Sequence, residues 1–340
     1  MRIFVTRLIP EAGLRLLNAE VEVDIWPGPE DAGPEKADII EGVKEADVLL
    51  SLLTERIDRE IMEINSRLLG IANYAVGYDN IDVEAATDLG IPVTNTPGVL
   101  TETTADLAWA LIMAVGRNII QGHNYMKAGR YKIWGPKLLL GNDIGSGWSG
   151  ESKVLGIVGF GRIGQAVFKR SKGFDMRVLA FDPFMRKTIE QTQGVEYHDL
   201  PGLLRESDFV TLHTNLTPET YHLIGEKELK LMKQTAYLIN TSRGPVIDEV
   251  ALVRALTRRQ IAGAGLDVYE NEPQVADGLV NCDNVVLLPH LGSATRATRD
   301  KMATMAALNA LALLRKEPAP NIVNSKVYDT KAYRRRIGEL

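Results

Sequence analysis

The chain has 340 residues, 45% of them hydrophobic and 24% charged, with a formal net charge of −5. That is ordinary for a folded protein and long enough for two domains, because single cores seldom grow far beyond about 250 residues. The negative balance gives no overall attraction to nucleic acid or an anionic membrane, and no stretch approaches the ~20 apolar residues of a membrane span. The one cysteine, Cys282, can build neither an intrachain disulfide nor a cysteine metal cluster. A start of Met1-Arg2-Ile3-Phe4-Val5-Thr6, without a signal-type segment, leads us to expect a cytoplasmic protein.

From the N-terminus, residues 3–6, 21–25, 47–51 and 69–74 read as short strands, with helices between them, one over 10–18 and one that Asp58 is placed to cap and that runs through residue 64. Such alternation implies a parallel α/β sheet. Residues 101–127 read as one long helix with a capped, acidic start at Thr101, Thr104 and Asp106. Residues 129–152, rich in Gly, Ser and Trp and poor in periodicity, read as a loop or arm.

A second α/β series begins with Val154, Leu155, Ile157 and Val158, the near-continuous apolar run of a strand buried on both faces. Gly159, Gly161 and Gly164 follow in G-x-G-x-x-G spacing, then a helical pattern with Ile163, Ala166 and Val167, then residues 177–181 as a strand ending in Asp182. One glycine lets the chain turn, one lets backbone approach a pyrophosphate, one lets helix pack on strand, and an acid at the second strand tip can bond a ribose hydroxyl. The unit therefore reads as a dinucleotide site. Asp182 favours NAD over NADP, because a carboxylate repels a 2′-phosphate; Arg186 and Lys187 keep NADP as the alternative.

Further strands are expected at 208–212, 236–240, 261–268 and 285–288, and several end in polar residues. Open parallel sheets bind ligands beyond their strands' carboxyl ends, which makes Asp182, His213, Thr241, Arg243, Asp267 and His290 candidates for one crevice. The alanine-rich stretch 295–315 reads as a helix returning the chain to its first domain, and the basic tail after Asn324 as solvated surface. The expected organisation is a discontinuous substrate domain, 1–100 plus 295–340, and a dinucleotide-binding domain, 101–294.

Hydride reaches a carbonyl carbon without a proton, so a carbonyl reductase needs a proton donor beside the oxygen. His290 is the candidate, Glu272 the acid that would orient its ring and favour imidazolium, and Arg243 the planar fork for a substrate carboxylate.

The segments Val76-Gly77-Tyr78-Asp79-Asn80-Ile81-Asp82, Gly98-Val99-Leu100-Thr101-Glu102-Thr103-Thr104-Ala105, the glycine turn, Asn240-Thr241-Ser242-Arg243-Gly244, Gly265-Leu266-Asp267-Val268 and Pro289-His290-Leu291-Gly292-Ser293-Ala294-Thr295 together resemble the D-isomer-specific 2-hydroxyacid dehydrogenases, and within them the glyoxylate/hydroxypyruvate reductases. The resemblance spans about residues 45–323. It implies two Rossmann-like, doubly wound parallel-sheet domains, the substrate domain flavodoxin-like, with a cleft between them. It implies Arg243, Glu272 and His290 as the catalytic trio, with Leu52 and Leu53 lining a small substrate pocket and the amides at Val76 and Gly77 holding the substrate carboxylate. Thr104, Arg162, Ile163, Asp182, Thr241 and Asp267 are implied as cofactor contacts, and the glycines, His213, His290 and Gly292 are assigned to the cofactor side with them.

The stretch containing Trp134 belongs in relatives to an arm around a second subunit, which implies a homodimer. One departure is that residues 142–154, with Gly145, Gly147, Trp148 and Gly150, form a longer segment than that family has before its glycine turn. The expected activity is NAD(P)H-dependent reduction of a small anionic 2-oxoacid, glyoxylate or hydroxypyruvate, without metal, nucleic acid or membrane. A D-lactate-type, phosphoglycerate or phosphite dehydrogenase is the sibling alternative, and an NADH-sensing, corepressor-like binding protein the remote one.

Overall fold

The computed structural model describes residues 1–29, 31–147 and 150–340, so Trp148 of the long segment lies outside the described residues. The chain forms two compact units, Met1–Leu100 with Thr295–Leu340, and Thr101–Ala294.

The first unit holds a five-stranded sheet of β1 (Arg2–Val5), β2 (Glu22–Ile25), β3 (Val48–Ser51), β4 (Gly70–Asn73) and β5 (Val93–Thr94). Its order is β2-β1-β3-β4-β5, with every pairing parallel, the flavodoxin-like arrangement. Ile3, Val5, Val48, Leu50 and Ala72 bury their side chains against α1 (Glu11–Asn18) and the returning helix α12 (Arg296–Leu314). Those helices approach closely at Gly13, where a Cβ would stand 2.7 Å from the Ala303 carbonyl oxygen. The alanines of α12 keep that contact thin. Asp58 caps α3 (Arg59–Glu63) by accepting from the Ile61 amide at 3.2 Å.

The basic tail is not the solvated segment its composition suggests. It folds as α13 (Lys331–Ile337), buries Tyr333, and sends the Arg336 guanidinium onto the carbonyls of Ser66 (2.9 Å), Leu68 (2.8 Å) and Leu89 (2.9 Å). The Leu89 carbonyl at the C-cap of α4 (Val83–Asp88) and two carbonyls of the turn between α3 and β4 gain a charged donor there, a long-range pairing that charge patterning cannot reveal.

The second unit contains β6 (Val154–Val158), β7 (Arg177–Phe181), β8 (Glu196–Tyr197), β9 (Phe209–Leu212), β10 (Tyr237–Asn240), β11 (Gly263–Leu266) and β12 (Val285–Leu287). The order is β12-β11-β10-β9-β6-β7-β8, all parallel, so winding reverses between β6 and β9. All five residues of β6 are buried. A crevice opens at such a switch point beyond the strands' carboxyl ends. α7 (Arg162–Ser171) follows β6, and α5 (Thr101–Gly116) packs its buried face, including Ala108, Leu111 and Ile112, into the same core.

The single helix expected over 101–127 is two: α5 ends at Gly116 and α6 (Ile119–Lys127) restarts after Asn118, whose φ is +50°. A left-handed residue breaks the helical hydrogen-bond run, and Asn tolerates it better than most side chains. The described part of 129–152 carries no helix or strand beyond the isolated bridge Ser146↔Ser152. Among the described residues no helix is long and apolar enough to cross a membrane.

Candidate active site

The glycine turn between β6 and α7 gives each glycine a different task. Gly159 has φ +92°, and a Cβ on it would lie 2.6 Å from the His213 carbonyl carbon, against the chain leaving β9. Gly164 packs so tightly that a Cβ would lie 2.1 Å from the Gly159 carbonyl oxygen. At Gly161, with φ −69°, a Cβ would meet nothing within 4 Å. That open face lies at the start of α7, where unpaired amides and the helix dipole favour an anion. Arg162 and Ile163 are the first two residues of α7.

Asp182, at the tip of β7, is fixed from both sides. One oxygen accepts from the Phe160 amide in the glycine turn (2.9 Å), the other from the amides of Phe184 (2.9 Å) and Met185 (3.2 Å). Arg186 is engaged elsewhere, 2.8 Å from Glu190 and 4.6 Å over the Tyr197 ring, while Lys187 is exposed.

Just beyond β9 and β10, three buried polar atoms have no hydrogen-bond partner among the described residues: His213 Nδ1, Thr214 Oγ1 and Thr241 Oγ1. His213 Nε2 shares a 2.9 Å hydrogen bond with Thr211, and burial pushes the imidazole down to about 3, so the ring is neutral. Buried polar groups left unsatisfied cost about 1–3 kcal/mol each. Their grouping with the open face at Gly161 and the carboxylate of Asp182 fits a nicotinamide dinucleotide.

Further titratable groups follow β10, β11 and β12. Arg243 follows β10; its Nη1 donates to Ser242 O (2.8 Å), and Asn240 clamps the turn by donating to Arg243 O (2.9 Å) and accepting from the Ser242 hydroxyl (2.8 Å). Next to it Gly244 has no room for a side chain, since a Cβ would fall 1.8 Å from the Tyr269 carbonyl carbon. The Arg243 turn is thereby seated on the segment leading to Glu272.

Glu272 Oε1 accepts from the Tyr269 amide (3.0 Å), and Oε2 lies 2.9 Å from His290 Nδ1. A carboxylate at Glu272 accepts from Nδ1–H across this contact and leaves Nε2 as the ring's other nitrogen. His290 has φ +55°, uncommon outside glycine, and is held on the far side too. Its amide donates to Asp267 O (3.0 Å), while the buried Asp267 carboxylate accepts from the amides of Leu291 (2.6 Å) and Gly292 (2.8 Å). Burial pushes the Asp267 carboxyl up to about 6, against the pull of those amides. Thr104 Oγ1 donates to Gly292 O at 3.1 Å, tying α5 to the same loop.

In the first unit, the Leu52 amide donates to Glu55 Oε2 (2.6 Å), which also accepts from Thr6 Oγ1 (2.9 Å); Asn80 donates to Leu52 O (2.9 Å). The carbonyls of Val76 and Gly77 accept from Asn95 (2.7 Å) and Asn73 (2.8 Å). Leu53 follows in the same turn and is half-buried. Glu55, Asn73, Asn95 and Thr214 escaped the sequence reading; only the polar residue at the tip of a buried strand, Asn73, carried a signal. Among the described residues no group of three or more His, Cys, Asp or Glu side chains could hold a metal ion.

Residues 109–292 match the profile described as D-isomer specific 2-hydroxyacid dehydrogenase, NAD binding domain. A glyoxylate reductase of Korarchaeum cryptofilum is 52% identical over 328 residues, 96% of each chain. A solved protein of Thermus thermophilus is similar at 44% identity and a TM-score of 0.86, covering 95% of this chain and 100% of that one. An NADPH-dependent glyoxylate/hydroxypyruvate reductase of Sinorhizobium meliloti, solved with NADP and malonate, is 30% identical with a TM-score of 0.80, over 95% of this chain and 96% of its own.

Proposed function

We propose that this chain, which belongs to the D-isomer specific 2-hydroxyacid dehydrogenase family, reduces glyoxylate or hydroxypyruvate to the corresponding 2-hydroxyacid with NADH. The observation that carries the reading is the Glu272–His290 pair, 2.9 Å apart, which lies beyond the carboxyl ends of strands of the same sheet that carries the glycine turn. The full-length similarity to glyoxylate reductases supports the substrate class.

Arg243 binds the substrate carboxylate through its planar fork and polarises the neighbouring carbonyl. When bound, a reduced nicotinamide would supply the hydride that the carbonyl carbon needs. His290 Nε2 gives its proton to the oxygen as negative charge grows there, and Glu272 holds Nδ1–H, fixing the ring and stabilising its charged form. In the reverse direction the same nitrogen takes the hydroxyl proton. The amides of the glycine turn and the start of α7 would hold the pyrophosphate, Asp182 the ribose, and Thr241 and Asp267 the nicotinamide end; Leu52, Leu53, Val76 and Gly77 belong to the substrate side in the same reading.

NAD is the preferred cofactor, because Asp182 presents a carboxylate where a 2′-phosphate would need a cation and Arg186 is engaged by Glu190 and Tyr197. The first unit serves as the substrate domain and the second as the dinucleotide domain. A homodimer is supported by the exposed apolar side chains of Ile119, Ile120 and Met126 on α6 and of Ile133, Trp134 and Leu140 after it. A cytoplasmic setting agrees with the single, unpaired Cys282.

His290→Asn tests the acid role. NADH affinity should stay within about twofold while turnover falls by at least about a hundredfold, the scale of a lost general acid. Turnover equal to the wild type would remove His290 from that role.

A further inference from the structure

Glu249 is a buried carboxylate, 3% exposed, at the first position of α11 (Glu249–Thr257). The helix does not need it as a cap, because Asp248 already accepts from the Ala251 amide at 2.8 Å. Burying a carboxylate is costly without strong partners, and here burial pushes the carboxyl upward while two amides pull against it.

Those two amides belong to opposite ends of one loop. Oε1 accepts from Glu270 N (2.8 Å) and Oε2 from Ala276 N (3.3 Å). Between them the loop closes on itself through Gln274 N to Asn271 O (2.9 Å), and Glu272 lies inside the closed turn. Glu270 returns the contact by accepting from the Glu249 amide (3.4 Å), and its other oxygen is held by His222 Nε2 at 2.7 Å. One carboxylate thus pins both feet of the loop that presents Glu272 to His290.

We propose that Glu249 is a positioning residue for the reaction, acting through the 270–276 loop to hold Glu272 against His290. The inference rests on the reading of Glu272 and His290 as the acid pair. A carboxylate suits the task because both of its oxygens accept; the amide of a glutamine would turn an N–H toward one of the two backbone donors. The helix start compensates part of the cost of burying the charge.

The test is a double-mutant cycle with purified full-length protein, glyoxylate and NADH, combined with a thermal melt and an NADH titration. Glu249→Gln should lower turnover by about tenfold to a hundredfold, the effect of a small displacement at the reacting centre, with NADH affinity within about twofold of the wild type. In a Glu272→Gln background the same substitution should change turnover by less than about twofold, because the group it positions is gone. Glu249→Asp keeps the charge but is too short to reach both amides; it should show the same pattern and carries the test if Glu249→Gln does not fold. Equal loss in both backgrounds overturns the role of Glu249 alone, as does undiminished turnover in a folded Glu249 variant. Wild-type turnover unaffected by Glu272→Gln overturns the acid pair and this role with it.

Discussion

Two glycines of the same turn should respond to the same added methyl group in opposite ways. At Gly161 the backbone has φ −69° and ψ −160°, which any residue can adopt, and a Cβ meets nothing within 4 Å. Gly161→Ala should therefore leave the fold intact, or stabilise it by about 0.4–1 kcal/mol through the unfolded chain. The methyl group would occupy the face where the pyrophosphate must approach the amides. Losing one amide bond to a charged phosphate is worth about 1.5–3 kcal/mol, roughly a ten- to 150-fold weaker NADH affinity. Gly159→Ala carries the reverse signature. A left-handed alanine costs about 1–2 kcal/mol, and its Cβ would sit 2.6 Å from His213 backbone atoms, adding an overpacking cost of about 1–3 kcal/mol. A thermal melt and a fluorescence titration with NADH on both variants separate the two effects. If Gly161→Ala bound NADH as the wild type does, the assignment of that open face to the pyrophosphate would be wrong.

Asp182→Ala should narrow the NADH over NADPH preference and, by leaving the part-buried Phe160 amide without its acceptor, cost about 1 kcal/mol of stability; an unaltered cofactor ratio contradicts the ribose assignment. Because Asp267 titrates at about 6 against an ordinary 3.8, the folded state holds its proton more tightly than the unfolded one. Its contribution to stability is present below pH 3.8 and is lost as pH rises to about 6. Chemical unfolding of Asp267→Asn across that window should lack this fall, and parallel pH profiles for variant and wild type would refute it. Arg336→Ala strips a charged donor from the Ser66, Leu68 and Leu89 carbonyls and should cost at least about 3 kcal/mol, seen as a lower melting temperature.

The parallel sheets were legible because β6, β3 and β4 are buried on both faces and read as apolar runs ending in Gly or a polar residue. The two-residue strands β5 and β8 are too short for any period to register. The break at Asn118 sits inside an amphipathic pattern that continues past it, so periodicity merges α5 and α6. In the candidate site, the residues picked from strand ends all lie beyond the carboxyl ends of the second sheet's strands, since chain direction and parallel pairing force that. What stayed hidden is the layer behind them. Glu55 and Glu249 look like surface acids in sequence, and only three-dimensional pairing with the amides of Leu52, Glu270 and Ala276 reveals them as buried. Arg336 is hidden for the same reason, its partners lying far away in the chain.

Initial rates on one purified sample test the reductase assignment most directly, with NADH or NADPH against glyoxylate, hydroxypyruvate, pyruvate and phenylpyruvate, and with NAD and phosphite as the opposite-direction control. Fast NADH-dependent reduction of glyoxylate and hydroxypyruvate, slower with NADPH and with the larger acids, is the predicted result. Tight NADH binding without turnover of any of these oxoacids would contradict it.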